Sequence, residues 1–233
     1  MLLKTLREQV LDANLELVRR GLVLYTFGNA SGIDRRNGLV AIKPSGVPYE
    51  KLTPSQIVIS DLTGKIVEGR LRPSSDLATH LELYKHFPNI RGVAHTHSEF
   101  ATAWAQAEQP IPCFGTTHAD YFHGPVPVTE RLPASAIAGD YELETGLAIC
   151  RRFAELDPDA IPAVLVAGHA PFCWGPSAGE AAHNAVILEY VARMACHTLA
   201  IHAETRPLAR ELHDKHFLRK HGRNAYYGQV KTT

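Results

Sequence analysis

The chain has 233 residues, 45% of them hydrophobic and 21% charged, with 24 Lys and Arg balanced by 24 Asp and Glu. That balance excludes a nucleic-acid or anionic-membrane binder held by net charge, which needs a basic excess. The length suits a single domain over residues 1–233 that buries its own core. Leu3, Leu6, Val10, Leu17 and Val18 recur near a helical period across residues 2–20, and Gly21 follows as a stop. Short β-like runs come next at 22–25, 38–42, 56–60 and 65–68, with a turn at Leu62-Thr63-Gly64. Ser75 is placed to cap a helix through Phe87, which Pro88 closes. Residues 91–97 (RGVAHTH) read as a strand, and Ser98 opens a helix to Ala107. A further helix is expected over 140–154, and the apolar run PAVLVA at 162–167 reads as a buried strand. Ser177 and Glu180 have capping-box spacing at the head of a long helix reaching Ala200. A last helix over 206–220 leads into the tail RKHGRNAYYGQ. Strands and helices mix without a strict β-α-β rhythm. The expected fold class is therefore α/β, with one central, mostly antiparallel or mixed sheet flanked by helices.

Cys113, Cys150, Cys173 and Cys196 stand far apart with no C-x-x-C pair, the pattern of free thiols in a reducing compartment. The N-terminal stretch carries charge throughout, unlike a secretion signal, and no run reaches the roughly 18 apolar residues of a membrane span. A cytoplasmic location with no membrane partner is expected.

Histidine, the commonest metal ligand, occurs 13 times. His95 and His97 flank Thr96 on an expected strand, where residues i and i+2 share a face, so both rings can reach one cation. His169 follows the second apolar strand in the loop GHAPFCWG, and Asp76 stands at the head of an expected helix. Three imidazoles and a carboxylate suit Zn²⁺ or another borderline divalent metal, Mn²⁺ and Co²⁺ included. Taken alone, His-x-His also reads as a polar strand end, and spacing does not single out His169 and Asp76 among the other candidates. His118, His123, His183 and His197 are expected to be structural or exposed. No H-E-x-x-H, G-x-G-x-x-G or P-loop motif is present.

Three Gly- and Ser-rich segments lie between expected elements: Gly28-Asn29-Ala30-Ser31-Gly32, Lys43-Pro44-Ser45-Gly46 and Pro73-Ser74-Ser75-Asp76. Glycine lets backbone approach a ligand, and hydroxyls, backbone N–H groups and a helix N-terminus bind phosphate. Lys43 adds a full charge. Each segment by itself also reads as an ordinary turn. Ser74 and Ser75 directly precede Asp76, which ties the third segment to the candidate metal ligands.

The order GNASG, KPSG, PSSD, HTHS, GTTHADYF, GHAPFCWG and RKHGRNAYYGQ resembles the L-ribulose-5-phosphate 4-epimerase branch of the class II aldolase/adducin-head family, from about residue 5 to 229. Asp76 stands where the aldolases of that family carry a glutamate, and GTTHADYF is characteristic of the epimerases. The resemblance implies one class II aldolase-like catalytic domain with zinc held by Asp76, His95, His97 and His169. It implies a sugar-phosphate substrate held by Gly28, Asn29, Ser45, Gly46, Ser74 and Ser75, with Lys43 nearby. It also implies Asp120 and Tyr227 as acid and base, His216 and Arg219 near them, and a homotetramer with active sites between subunits. The chemistry implied is retro-aldol cleavage and re-addition. Two rivals stand beside it: a class II sugar-phosphate aldolase or lyase, and a non-catalytic module like the adducin head.

Overall fold

The computed structural model describes residues 1–228; Gln229, at the end of the matching tail, lies outside them. The N-terminal periodicity becomes α1 (Lys4–Arg19), which buries Val10, Ala13 and Leu17. Seven strands follow in the chain: β1 (Gly28–Asp34), β2 (Leu39–Ile42), β3 (Val58–Asp61), β4 (Ile66–Glu68), β5 (Gly92–Thr96), β6 (Ala163–Leu165) and β7 (Pro171–Gly175). They form one sheet in the order β4-β3-β2-β1-β5-β7-β6, and every ladder is antiparallel. Between and after the strands run α2 (Leu77–His86), α3 (Glu99–Gln106), α4 (Thr116–Ala119), α5 (Ala134–Ala138), α6 (Tyr141–Arg152), α7 (Ala178–Ile201) and α8 (Arg210–His221).

Alternation along the strands splits the core into two layers. Ala30, Ala41, Ala94 and Cys173 face α1, α3 and α7, whereas Ile33, Val40, Val93 and Trp174 face α2 and α6. The expected mostly antiparallel sheet flanked by helices is the fold observed. No helix among the described residues is long and apolar enough to cross a membrane.

Three local expectations are corrected. Residues 22–25 are not a strand: Tyr25 has φ +52°, which breaks an extended chain, and Leu24 and Tyr25 are exposed. The strand is Gly28–Asp34 instead, so the first Gly/Ser-rich segment is not a loop but the middle of the sheet. Its residues have poor strand propensity, and its position overrides that. β2 and β5 supply ladder bonds on both sides. Where β2 has not yet begun to pair, the Asn14 side chain of α1 bonds both the N–H and the C=O of Ala30, at 2.9 and 3.0 Å. The loop around His169 likewise gives way to β7 after Ala170. Ser75 does not cap α2; Asp76 occupies that position, without a side-chain cap bond. The capping-box expectation for α7 holds, with Ser177 Oγ accepting from the Glu180 N–H at 3.1 Å.

One close approach fixes α7. Gly92 of β5 lies opposite Gly175 of β7. A Cβ on Gly92 would sit 2.2 Å from the Ser177 carbonyl oxygen, and one on Gly175 would sit 2.9 Å from Glu180 Cβ. The first turn of α7 therefore rests in a notch that only glycine leaves open. Farther along, the Glu189 carboxylate of α7 accepts from the N–H groups of Phe100 and Ala101, both at 2.9 Å. That satisfies two free donors at the head of α3, directly after the His-x-His segment.

Candidate metal centre and phosphate cradle

His95 is buried on β5, and His97 lies one residue beyond the strand end. The turn between β6 and β7 delivers His169. The three rings pack edge on edge, with centroids 4.9 to 5.1 Å apart. One ligand atom from each lies within 4.8 Å of the others. The His95 and His97 Nε2 atoms are 3.2 Å apart.

Two of the three rings are aimed by a partner outside the triad. His95 Nδ1 bonds the Pro171 carbonyl at 2.9 Å, so Nδ1 carries the proton and Nε2 keeps its lone pair for the cavity. Phe172 stacks on the same ring at 4.2 Å. His169 Nδ1 lies 3.3 Å from the Tyr141 hydroxyl. Burial, reinforced by the neighbouring imidazoles, depresses the His169 pKa to about 4 and lowers that of His97. Both rings are thus neutral near pH 7, the state a metal ligand requires.

Asp76 enters from the head of α2. Asn29 of β1 donates from Nδ2 to Asp76 Oδ2 at 2.6 Å and to Ser74 Oγ at 3.1 Å. Burial raises the carboxyl pKa, and His95, His80, the Asn29 amide and His169 outweigh it, leaving the group below its ordinary value. Asp76 lines the same cavity as the three histidines, while the tight triad comprises the histidines alone. Three imidazoles with a carboxylate at their margin form a donor set that fits a borderline divalent metal.

The opposite wall of this cavity, about 360 Å³ in volume, holds Gly28, Asn29, Lys43, Ser45, Gly46, Ser74 and Ser75. All seven candidate substrate-binding residues are therefore brought together beside the ligand set. Their two loops are zipped by the Ser45 N–H to the Arg72 carbonyl and the Ser74 N–H to the Lys43 carbonyl, both 3.0 Å. The Ser45 and Ser75 hydroxyls line the cavity beside them, and the Lys43 ammonium, which donates to the Pro44 carbonyl at 3.3 Å, keeps further N–H donors for a ligand. Lys43 Nζ is buried 4.5 Å from the Tyr49 ring centre, and desolvation lowers its pKa to about 8. Gly28 has φ +125°, and a Cβ there would lie 2.7 Å from the His95 carbonyl oxygen, so this glycine also lets β5 close on β1.

Asp120 and Tyr227 do not line this cavity. Asp120, at the end of α4, accepts from Arg219 at 2.8 Å, from His216 Nδ1 at 3.0 Å, and pairs with Lys220 at 3.5 Å. Arg219 and Lys220 lie 4.8 and 4.6 Å from the Tyr227 ring centre. Asp120, Tyr227, His216 and Arg219 thus form a cluster of their own around α8. The other histidines named as structural do not join the metal-type group: His118 bonds the Gly124 carbonyl and His123 bonds Asp214.

Thr26, Phe27, Tyr141 and Glu142 also line the cavity and went unnoticed in the sequence. Tyr141 and Glu142 open α6, far in sequence from every motif, and only the fold brings them to His169.

Residues 8–196 match the Class II Aldolase and Adducin N-terminal domain family. Across 227 residues the chain is 53% identical to the L-ribulose-5-phosphate 4-epimerase UlaF of Salmonella paratyphi B, covering 97% of this chain and 100% of that one. Among solved structures, an L-fuculose 1-phosphate aldolase superposes with a TM-score of 0.77 at 26% identity, over 91% of this chain and 94% of that chain. YgbL from Klebsiella pneumoniae, a putative aldolase/epimerase/decarboxylase, superposes with a TM-score of 0.73 at 28% identity, over 91% and 97%.

Proposed function

The chain belongs to the class II aldolase and adducin N-terminal domain family, and from that premise we propose that it is an L-ribulose-5-phosphate 4-epimerase, interconverting L-ribulose 5-phosphate and D-xylulose 5-phosphate as one catalytic domain. One observation carries this reading. A metal-type histidine triad and a Ser/Lys phosphate cradle share one cavity, in a chain half identical end to end to a 4-epimerase.

The C4 hydrogen of the substrate is not adjacent to the C2 carbonyl, so it is not acidic and direct deprotonation is closed. Retro-aldol chemistry avoids it. A base takes the C4 hydroxyl proton, the C3–C4 pair of electrons moves onto the ketose part, and dihydroxyacetone enediolate and glycolaldehyde phosphate result, because the phosphate sits on C5. The aldehyde turns, C3 attacks its other face, and an acid protonates the new C4 alkoxide. A divalent cation held by Asp76, His95, His97 and His169 supplies Lewis-acid stabilisation of the developing negative charge. Zinc is the proposed ion, with manganese or cobalt compatible with the same donors.

The chain's own residues do the rest. Asn29, Ser45, Gly46, Ser74, Ser75 and Lys43 grip the phosphate, which stays on the aldehyde fragment, and keep that fragment from leaving while its carbonyl rotates. Asp120 serves on one side of that aldehyde. Burial raises its carboxyl pKa, and the bonds from Arg219 and His216 with the charge of Lys220 pull it below the ordinary value, so it is an ionised base. Tyr227 serves on the other side as the proton donor. Because both stand outside the cavity of their own chain, a second copy must present them, and the proposed assembly is a homotetramer with sites between subunits. Four unpaired cysteines agree with a cytoplasmic setting.

The test is to incubate the metal-replete protein with L-ribulose 5-phosphate and assay D-xylulose 5-phosphate, with and without chelator. Chelator-sensitive interconversion is expected. Accumulation of dihydroxyacetone and glycolaldehyde phosphate in its place would move the protein to the aldolases.

A further inference from the structure

Behind the candidate ligands lies a polar ladder that the proposed chemistry leaves unused. Along α2 and its cap, Asp76, His80 and Tyr84 recur one turn apart, and β1 presents Asn29 and Ser31 on one face. A helical turn rises about 5.4 Å and two strand residues about 6.6 Å, so the two series stay in step. Asn29 meets Asp76, and Ser31 meets both His80 and Tyr84. Ser31, His80 and Tyr84 are wholly buried.

Ser31 Oγ lies 2.7 Å from His80 Nδ1 and 2.8 Å from the Tyr84 hydroxyl. Counting protons gives the chain a direction. If Ser31 donated to Tyr84, the phenol proton would lose its acceptor, His80 would donate from Nδ1, and its Nε2 lone pair would be buried unmet. If both neighbours donated to Ser31, the serine proton and the Nε2 lone pair would be unmet. Only one arrangement leaves a single group unmet: Tyr84 donates to Ser31, Ser31 donates to His80 Nδ1, and His80 carries its proton on Nε2. His80 Nε2 is indeed buried without a partner, and so is the acceptor Asn29 Oδ1. The ring is wholly buried with no carboxylate hydrogen-bonded to it, so it holds one proton.

We propose that Tyr84, Ser31 and His80 form a one-way hydrogen-bond relay whose Nε2–H, without a hydrogen-bond partner of its own, lends its dipole to the Asn29–Asp76 pair one helical turn away. His80 is then a positioning residue for the Asp76 carboxylate and not a ligand. The purpose assigned to the relay rests on the reading of Asp76 as a metal ligand. Its direction does not.

Two measurements test it on the full chain. Long-range ¹H–¹⁵N correlation on metal-free, histidine-labelled protein reads the His80 tautomer directly. A proton on Nε2 is expected, and a proton on Nδ1 overturns the relay. Calorimetric titration with Zn²⁺ and with Mn²⁺ then compares His80→Gln, whose amide reaches the place of Nε2, with His80→Asn, whose amide reaches only that of Nδ1. His80→Asn is expected to weaken binding about 10- to 100-fold, the range for partners of metal ligands, with His80→Gln close to wild type. Equal affinity in wild type and both variants, or equal loss in both, overturns the positioning role. Should a variant fail to fold, the tautomer in the wild type still decides the relay. A wild-type protein that binds no metal would sink the metal reading of Asp76 and with it the positioning role, whichever tautomer His80 shows.

Discussion

The histidine cavity draws its groups from β1, β5, the β6–β7 turn and the head of α2, and it brings three imidazoles together, with His95 Nε2 and His97 Nε2 3.2 Å apart. The Asp120 cluster draws its groups from α4, α8 and the segment after it, and its carboxylate is saturated by Arg219, His216 and Lys220. The first region turns three ring nitrogens toward one another as a donor set for a cation, whereas the second has balanced its own charges. A paired carboxylate at a surface is comfortable as it stands, and nothing in one chain obliges it to act. The difference teaches that a ligand set declares itself by convergence on one cavity, whereas a satisfied ion cluster declares no role within a single chain.

The comparison breaks most decisively at His97. His97→Ala, or a chelator, is expected to lower kcat about 10³-fold, the order of several kcal/mol of lost charge stabilisation; steady-state assays with metal analysis check it. Asp120→Asn is expected to cost roughly 10²-fold or more in kcat while leaving divalent-metal affinity unchanged. Mixing the two inactive variants through dissociation and reassembly sharpens the contrast. If the two regions meet across subunits, roughly a quarter of the sites regain both halves and activity returns. If activity stays at zero in reassembled mixtures, the second region belongs elsewhere.

Lys43 gives a smaller, pH-dependent effect. Its pKa near 8 in the free protein means that the phosphate cradle loses its cation above that pH. The ratio kcat/KM should therefore fall above pH 8 with kcat changing less, and Lys43→Met should abolish that limb of the profile.

The smallest effect is on stability in acid. His80 and His118 are buried and neutral in the folded chain, with pKa values near 3 and 4, the latter set by burial against a bond to Gly124. Unfolded, both take protons near pH 6.5. Between about 4 and 6.5 the unfolded chain binds more protons, so stability falls as pH drops through that window. Thermal melts of the metal-free protein at pH 7 and pH 5 should show a lower Tm at pH 5.

Much of this was legible in the sequence, and the exceptions have physical causes. Helix ends were readable where a side chain does the capping, as at Ser177. Strands were readable where β-branched residues alternate, as at residues 39–42. β1 was not, because Gly28, Asn29, Ala30, Ser31 and Gly32 look like a turn until flanking strands and Asn14 hold them extended. The cavity's ligands and cradle were legible as motifs, but their meeting was not. It depends on β1 pairing with β5 across some sixty residues and on β7 then joining β5, facts of topology that no local spacing encodes. Tyr141 and Glu142 were invisible for the same reason.

The glycine notch under α7 has a consequence for how this chain can drift. Positions in the cavity have chemical substitutes: a glutamate can replace an aspartate, and a threonine a serine. Gly92 has none, because the smallest side chain would displace the start of α7. Through Glu189 that helix also holds the head of α3, right behind His97. A single methyl group, added at the opposite end of β5 from His95, would thus propagate to the ligand set. Inheritable change in this protein is more tightly policed at a spot with no chemistry than at several that have it.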